Sequence, residues 1–573
     1  MAEQPMDDDD IPFEDDFEER ADHVEEDVIR DGTATSDHFD EVVRDLLGRG
    51  LVLLVGPRGC GKTHLMRYAW LQALGDGARP FCVYTTLNRY LSLEPLSTSR
   101  RDVNALFHSW VLARILEAAA ETLFRITGQS FDLVTALDLD KVDLKKLLNT
   151  LERNFELDEA DEQLHRALSL ETVQRILRDM AELAGRKRIV LLLDDAALTL
   201  SPAFLTEFLD LLRVVKANDI SPKCSVYPGT TVYGSRFHAD HEGKFVSAWI
   251  SAYGANYRGM MQTIAERRYP EGLQGISPDA NALLQYAAFG VPRAYLTLLR
   301  SVRSDKAVTQ AALTRVVRAH HDNRISEFRS LGDKVVELRT LVKAGETFFD
   351  KAVEGIRDWN DENSDGSTKQ TIIGINDEEL SPLSERMIDL LTEAGLLYPM
   401  TEVSHGRGRR YRRFEPHLAS LIAERAFSGS HRGNSASQVV EFIERPSHKH
   451  PLRRSPKTIL GKDGFADLKL DLPPCQNCQT PRDNERQRFC HHCGNRLVEE
   501  LTYNRIMSLD IASVPSLSAF QKTALRGSNL KTVGDLRALR DPGSELRKLP
   551  RIGQSYSNKI LVRIEAFVDE MIS

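Results

Sequence analysis

Residues 51–63 read LVLLVGPRGCGKT. Gly56, Gly61, Lys62 and Thr63 stand at the spacing G-x-x-x-x-G-K-[ST], which suits the holding of a polyphosphate. Gly56, Gly59 and Gly61 let backbone N–H groups turn inward with no Cβ in the way. Lys62 is expected to reach the β- and γ-phosphates, and the Thr63 hydroxyl to ligate Mg²⁺. The predicted cradle is therefore Gly56, Pro57, Arg58, Gly59, Cys60, Gly61, Lys62 and Thr63, with His64 directly behind. A second acidic centre lies in KRIVLLLDDA, residues 187–196. There an unbroken apolar run ends in Asp194 and Asp195, and Asp194 is the candidate Mg²⁺ ligand. A third chemistry sits near the C-terminus. Cys475 and Cys478 make one C-x-x-C, Cys490 and Cys493 a second, with eleven residues between the pairs. Four thiolates at this spacing close a tetrahedral zinc site, and a ribbon this small depends on the metal to fold. A redox dithiol is the weaker reading, because the two motifs occur as a pair.

These residues need elements to hold them. Residues 51–55 form a short apolar strand and 64–74 a helix whose N-terminus adds partial positive charge beneath the phosphates. Residues 81–86 read as a second strand, 103–126 as a long helix, and 139–183 as a further helical region. The apolar run 189–193 has the pattern of a central parallel strand buried on both faces. Its acids then fall at the ligand-binding edge of the sheet. A helix is expected over 202–216 and a strand within 223–234, turning at Pro228-Gly229. Residues 283–300, LLQYAAFGVPRAYLTLLR, give a helix, a break and a second helix that starts at Pro292. Arg293 then occupies a first turn, where the helix dipole disfavours a cation, and this favours a functional role.

The chain has 573 residues, ordinary hydrophobic (41%) and charged (28%) content and a net charge of −9. It is long enough for several domains. No apolar run approaches the ~18 residues that span a bilayer, and the acidic N-terminus MAEQPMDDDD lacks the apolar segment of a secretory signal. The scattered Cys60, Cys82 and Cys224 beside one metal-spaced cluster fit a reducing, cytoplasmic setting. Acid is concentrated in the first thirty residues and Arg and Lys in the last third, which suggests a solvated tail and an anion-binding surface.

GPRGCGKT, IVLLLDDA and the Gly-Val-Pro-Arg segment together resemble AAA+ ATPases of the origin-recognition and STAND-like group, over roughly residues 36–300. The resemblance implies an α/β P-loop NTPase core with a parallel sheet and flanking helices, a helical lid, ATP hydrolysis to ADP and phosphate, and homo-oligomers. It makes Arg293 the sensor 2 residue that reads the γ-phosphate. It also implies a polar sensor on the strand after Asp194, with Thr230 and Thr231 as candidates. A trans-acting arginine finger comes from among Arg236, Arg267 and Arg268. Asp195 stands where many of these ATPases place a Glu that orients water. Its shorter side chain, and the long helical insertion before residue 187, point to slow turnover.

Downstream, residues 385–397 read as an amphipathic helix, followed by two strands around a Gly/Arg-rich tip. This is similar to a winged-helix domain, with Arg407, Arg409, Arg410, Arg412 and Arg413 on the wing. Arginines this dense favour DNA phosphate contact, with the salt dependence that follows; a solvated basic hairpin is the alternative. Residues 507–573 resemble helix–hairpin–helix units. Their hairpin LPRIGQSYSNKI offers Arg551, Gly553 and Lys559 to a DNA phosphate, a protein–protein role being nearly as well supported.

The resulting division is an acidic disordered tail (1–35), ATPase core (36–270), helical lid (271–345), winged-helix-like domain (346–427), basic flexible linker (428–465), zinc ribbon (466–500) and helix–hairpin–helix domain (501–573). The catalytic set is Lys62, Asp194, Asp195 and Arg293, and the cofactors are ATP, Mg²⁺ and Zn²⁺. The favoured function is an ATP-dependent DNA-binding switch or remodelling ATPase in replication, transposition or anti-phage defence, with cutting left to a separate effector. The alternative is an ATP-gated oligomerising signalling scaffold that binds protein partners through its zinc ribbon and C-terminal helical module.

Overall fold

The computed structural model describes residues 24–87, 93, 102–153, 155–195, 202–227, 229–231, 233, 236–303, 308–363, 369–404, 410–427, 435–445, 451–482, 487, 489–495, 497, 506–539 and 541–572. Five strands, β1 (Leu51–Val55), β2 (Phe81–Thr86), β3 (Ile189–Asp194), β4 (Ile220–Val226) and β5 (Gly243–Ser247), form one parallel sheet in the order β2-β3-β4-β1-β5. Parallel strands need crossovers that cover both faces, and the sequence supplies them as the helices Lys62–Gly75, Val103–Thr127, Leu170–Leu183 and Pro202–Val215. Alternation along β1 divides the core: Val52 and Leu54 enter one apolar cluster, Leu51 and Leu53 the other. β3 divides in the same way, Val190 and Leu192 against Ile189, Leu191 and Leu193. The phosphate loop and Asp194 thereby reach the same edge of the sheet, with β4 between their strands.

β4 begins three residues before the expected start at Lys223. Ser221, Pro222 and Lys223 disguise it. All are buried in the central sheet, and the Lys223 ammonium is satisfied by donating to the Gly50 carbonyl at 2.6 Å. Burial brings the Lys223 pKa down to about 8.

The helices Pro278–Ala287, Pro292–Arg303, Gln310–Lys334 and Arg339–Glu362 follow the sheet. A second, four-stranded sheet comes next: β6 (Ile373–Asn376), β7 (Leu397–Ser404), β8 (Arg410–Pro416) and β9 (Leu452–Arg453), in the order β7-β8-β6-β9. β8 runs antiparallel to both β7 and β6, while β9 pairs parallel with β6. The helix Pro382–Glu393 precedes β7. Together these elements are the second-sheet domain.

Three expected boundaries move. The acidic tail does not extend to residue 35. Residues 26–32 form the helix Glu26–Gly32, with Ile29 fully buried, and Arg67 donates to the Val24 carbonyl at 2.8 Å. The lid does not end at residue 345, because Arg339–Glu362 is one continuous helix. The described residues of the basic linker are structured as well. The helix Ala436–Glu444 buries Ala436, Val439, Val440 and Ile443, an i, i+3, i+4, i+7 stripe behind a Ser435–Gln438 capping box. That stripe was obscured by the basic composition around it. β9 and the helix Pro456–Ala466 follow. Among the described residues no helix is long and apolar enough to cross a membrane.

Candidate phosphate-binding site

Gly56 opens the loop at φ +153° and Gly59 bends it at φ +81°. A Cβ on Gly56 would stand 2.6 Å from the Cys60 sulfur, and one on Gly59 would meet both Val291 and Arg293 at 3.2 Å. The loop is thus tightly folded on itself and lies against the Gly-Val-Pro-Arg segment that starts the helix Pro292–Arg303. The Arg293 charge is felt at Cys60, whose thiol is pushed up chiefly by burial.

The Lys62 ammonium is held in the mouth of the loop. It donates to the Gly56 carbonyl at 2.7 Å and the Pro57 carbonyl at 3.2 Å, and lies 4.2 Å from the ring centre of Tyr227. Asp194 ends β3 and is 1% exposed. Its carboxyl takes hydrogen bonds from the Thr63 hydroxyl, from Tyr84 Oη at 3.3 Å and from the Asp195 N–H at 3.0 Å. Burial pushes the Asp194 pKa up, opposed by those donors and by the Lys62 charge. A buried carboxylate beside a hydroxyl is a hard oxygen donor pair of the kind Mg²⁺ prefers, and with the N–H groups of the loop these residues fit a Mg·nucleotide. Asp195 has φ +51°, a conformation that costs a non-glycine residue about 1 kcal/mol or more and clusters at functional turns.

The strand-end neighbours were not singled out from the sequence. Ser225 and Tyr227 lie at the end of β4, between the phosphate loop and Asp194, and Tyr84 lies on β2. The available signal was positional: each sits at the C-terminal end of a strand in the same sheet. Thr230 and Thr231 follow β4 and are both engaged by neighbouring groups. Thr231 closes a turn, its N–H donating to the Tyr227 carbonyl at 2.9 Å and its hydroxyl accepting from the Tyr227 N–H at 3.0 Å. Thr230 is engaged by Glu393 of the second-sheet domain. His64 hydrogen-bonds its Nε2 to the Thr33 hydroxyl at 2.7 Å, and burial together with the Arg268 and Arg67 charges lowers its pKa to about 4. It therefore ties the N-terminal segment to the loop helix.

Of the arginines in the expected finger interval, Arg267 donates to the carbonyls of Asp31 and Thr33, and the stem of Arg268 packs on Gly32. Both serve the N-terminal segment of their own chain. Arg236, 77% exposed and 3.7 Å from Asp210, lies between β4 and β5.

The four cysteines converge, all ligand sulfurs lying within 4.8 Å of one another. The two knuckles repeat one hydrogen-bond pattern. The Gln479 N–H donates to Cys475 O at 2.8 Å and the Cys475 N–H to Thr480 O at 2.9 Å. The Gly494 N–H donates to Cys490 O at 2.9 Å and the Cys490 N–H to Asn495 O at 2.8 Å. Gln479 (φ +59°) and Gly494 (φ +69°) make the same left-handed turn. N–H groups aimed at sulfur, led by that of Cys493, bring the Cys490 pKa down to about 6. The donor set is a fit for tetrahedral zinc.

The described arginines of the basic hairpin have partners within their own domain. Arg407 and Arg409 lie outside the described residues. Arg412 bridges Asp377 and Glu385, both at 2.6 Å. Arg410 pairs with Glu402 and with Asp377, the latter at 3.5 Å, and Arg413 donates to the Thr401 carbonyl at 2.6 Å. These three arginines brace their own sheet. In the C-terminal module, Arg551 takes φ +64° in the turn before the helix Gln554–Ile572. Gly553 caps that helix by accepting from the Ser557 N–H at 2.9 Å, and Lys559 lies 5.8 Å from the ring centre of Tyr556.

No protein-family model and no curated protein matches the chain. Among solved structures it is similar to the Walker-type ATPase PABY2304 of Pyrococcus abyssi, at 13% identity and TM-score 0.35, covering 68% of this chain and 96% of that one. It is also similar to the Aeropyrum pernix ORC1 protein in complex with DNA, at 15% identity and TM-score 0.30, covering 70% of this chain and 96% of that one. At such scores the parallel P-loop fold rests on the strand order and loop geometry themselves.

Proposed function

We propose that this chain is an AAA+-like ATPase that acts in the cytoplasm as a DNA-binding switch or remodeller. The observation that carries the reading is the meeting of Lys62, Thr63, Asp194 and Arg293 at one sheet edge from three distant parts of the sequence. Lys62 and the loop N–H groups bind the β- and γ-phosphates. Thr63 and Asp194 hold Mg²⁺, which supplies charge neutralisation at the phosphates when bound. Asp195 orients the attacking water, and Arg293 couples the γ-phosphate to the helix Pro292–Arg303. Arg236 is the best-placed finger for a neighbouring copy, since Arg267 and Arg268 are engaged in their own chain. The second-sheet domain is read as winged-helix-like and the C-terminal module as helix–hairpin–helix, with zinc on the four cysteines.

A second reading has its own support. The engagement of Arg410, Arg412 and Arg413 within the second-sheet domain favours an ATP-gated scaffold that binds protein partners through the C-terminal modules. The deciding experiment measures ATP turnover with single-stranded, double-stranded and branched DNA at two salt concentrations. Stimulation that falls with salt supports the first reading. Unstimulated, slow turnover with ATP-dependent assembly supports the second.

A further inference from the structure

Two consecutive left-handed residues, Phe289 at φ +50° and Gly290 at φ +76°, lie between the helices Pro278–Ala287 and Pro292–Arg303. Gly290 is required there, since a Cβ on it would stand 1.8 Å from the Ile250 carbonyl oxygen. Phe289 differs, because a bulky residue at positive φ is strained and persists only where its surroundings over-determine it. Two hydrogen bonds from the segment after β5 do so. The Trp249 indole N–H donates to the Phe289 carbonyl at 2.7 Å, and the Gly290 N–H donates to the Tyr257 hydroxyl at 3.0 Å. Trp249 also borders the phosphate loop, its backbone nitrogen 3.5 Å from where a Cβ on Gly56 would stand. Val291 and Arg293, just past the turn, would each stand 3.2 Å from a Cβ on Gly59. The indole is held in turn by the second-sheet domain. Tyr398 of β7 meets the Trp249 ring edge-on at 4.8 Å between centroids and the Phe289 ring at 5.9 Å, while Phe289 meets Trp249 at 5.7 Å. Three aromatic rings thus close a triangle across the interface. Further along the same loop, Tyr253 donates to the fully buried Glu415 carboxyl of β8.

We propose that Trp249 is a positioning residue of the phosphate site, holding the strained Phe289–Gly290 turn that sets Arg293 against the phosphate loop, and that Tyr398 makes this hold depend on docking of the second-sheet domain. This deepens the nucleotide-site reading given above and rests on it. Without the indole N–H, Phe289 relaxes towards an ordinary backbone conformation and carries the start of the helix Pro292–Arg303 away from Gly59. A group displaced by about 1 Å from its working position can cost on the order of 100-fold in rate. ATP held by Lys62 and the loop N–H groups stays bound. Undocking of the second-sheet domain is therefore felt as lost turnover rather than lost affinity.

Trp249→Phe keeps an aromatic ring and removes the N–H. Its kcat is expected to fall roughly tenfold with KM within about twofold of wild type, and amide hydrogen exchange at Gly290 and Val291 to speed up. Tyr398→Ala is expected to lower kcat about threefold in the same pattern, and Tyr398→Phe, which retains the ring, to restore it. In an Arg293→Ala background Trp249→Phe costs nothing further, because both act through one group. Losses that multiply in that double variant overturn the proposal, as does wild-type kcat in Trp249→Phe. A role limited to structure lowers kcat and ATP affinity together in Trp249→Phe and Tyr398→Ala, which also overturns it. Should Trp249→Phe fail to fold, Tyr398→Ala and Tyr398→Phe decide by the same kcat and KM comparison. Lys62→Ala serves as the control for the site itself. Loss of ATP binding there leaves the site standing whichever way the Trp249 variants fall. Wild-type ATP affinity in Lys62→Ala overturns the site, and the proposal with it.

Discussion

The phosphate loop and the arginine hairpin are both dense in charge and glycine, and the structure uses them in opposite ways. At the loop, a few residues from distant segments are brought to one sheet edge, and their polar atoms point at a common space. Lys62 is held by Gly56, Pro57 and Tyr227, and Asp194 by Thr63, Tyr84 and Asp195. At the hairpin, neighbours in sequence diverge, and the described arginines are taken up by Asp377, Glu385, Glu402 and the Thr401 carbonyl. Local density of a residue type is thus a poor guide to a site. Convergence from several strands is a better one, because a buried charge needs partners that only the tertiary fold supplies.

The sharpest way to break this contrast is Lys62→Ala. Loss of a charge-assisted phosphate contact, at about 2–3 kcal/mol or more, predicts a fall in ATP affinity on the order of 100-fold, measured by titration with a fluorescent analogue. Next comes Arg293→Ala, which on the proposed function removes a reader of the phosphate rather than a binder. Turnover is expected to drop roughly tenfold or more with ATP affinity changed far less, as a comparison of kcat with KM shows.

The hairpin gives smaller effects of another kind. Arg412, 34% exposed between two carboxylates, is expected to cost about 1–2 kcal/mol of stability when changed to Ala, because its partners are left partly buried. Arg410, 65% exposed, is expected to cost under about 1 kcal/mol. Thermal unfolding of the two variants checks the order. Equal losses of DNA affinity with unchanged stability would return both residues to a DNA-facing wing.

The smallest effect is one of pH. His64 has a folded pKa of about 4, below its ordinary value of 6.5. The unfolded state therefore binds the proton more readily, and the contribution is complete above pH 6.5 and lost as pH falls towards 4. The N-terminal segment held by the Thr33–His64 bond should become more protease-sensitive over that window, and less pH-dependent in His64→Asn.

Much of the first sheet was legible because its strands are apolar and bounded by loop chemistry. The runs 51–55, 81–86 and 189–193 match β1, β2 and all but the terminal acid of β3. β4 was misjudged because Ser221, Pro222 and Lys223 break the apolar pattern, and only tertiary partners such as the Gly50 carbonyl make them tolerable there. Residues 26–32 and 436–444 were misjudged on the composition around them, which outweighed the short apolar stripes of Glu26–Gly32 and Ala436–Glu444. The cysteine cluster needed only spacing. Glu393 left no local trace, since nothing near it in sequence marks it as a partner of Thr230.

The central claim is that Asp194 and the phosphate loop hold a metal–nucleotide together. It is tested by measuring ATP affinity with and without Mg²⁺ for wild type and Asp194→Asn. Mg²⁺ should tighten ATP binding to wild type, and that gain should vanish in the variant while metal-free binding stays close to wild type. An equal Mg²⁺ gain in both proteins would contradict the site.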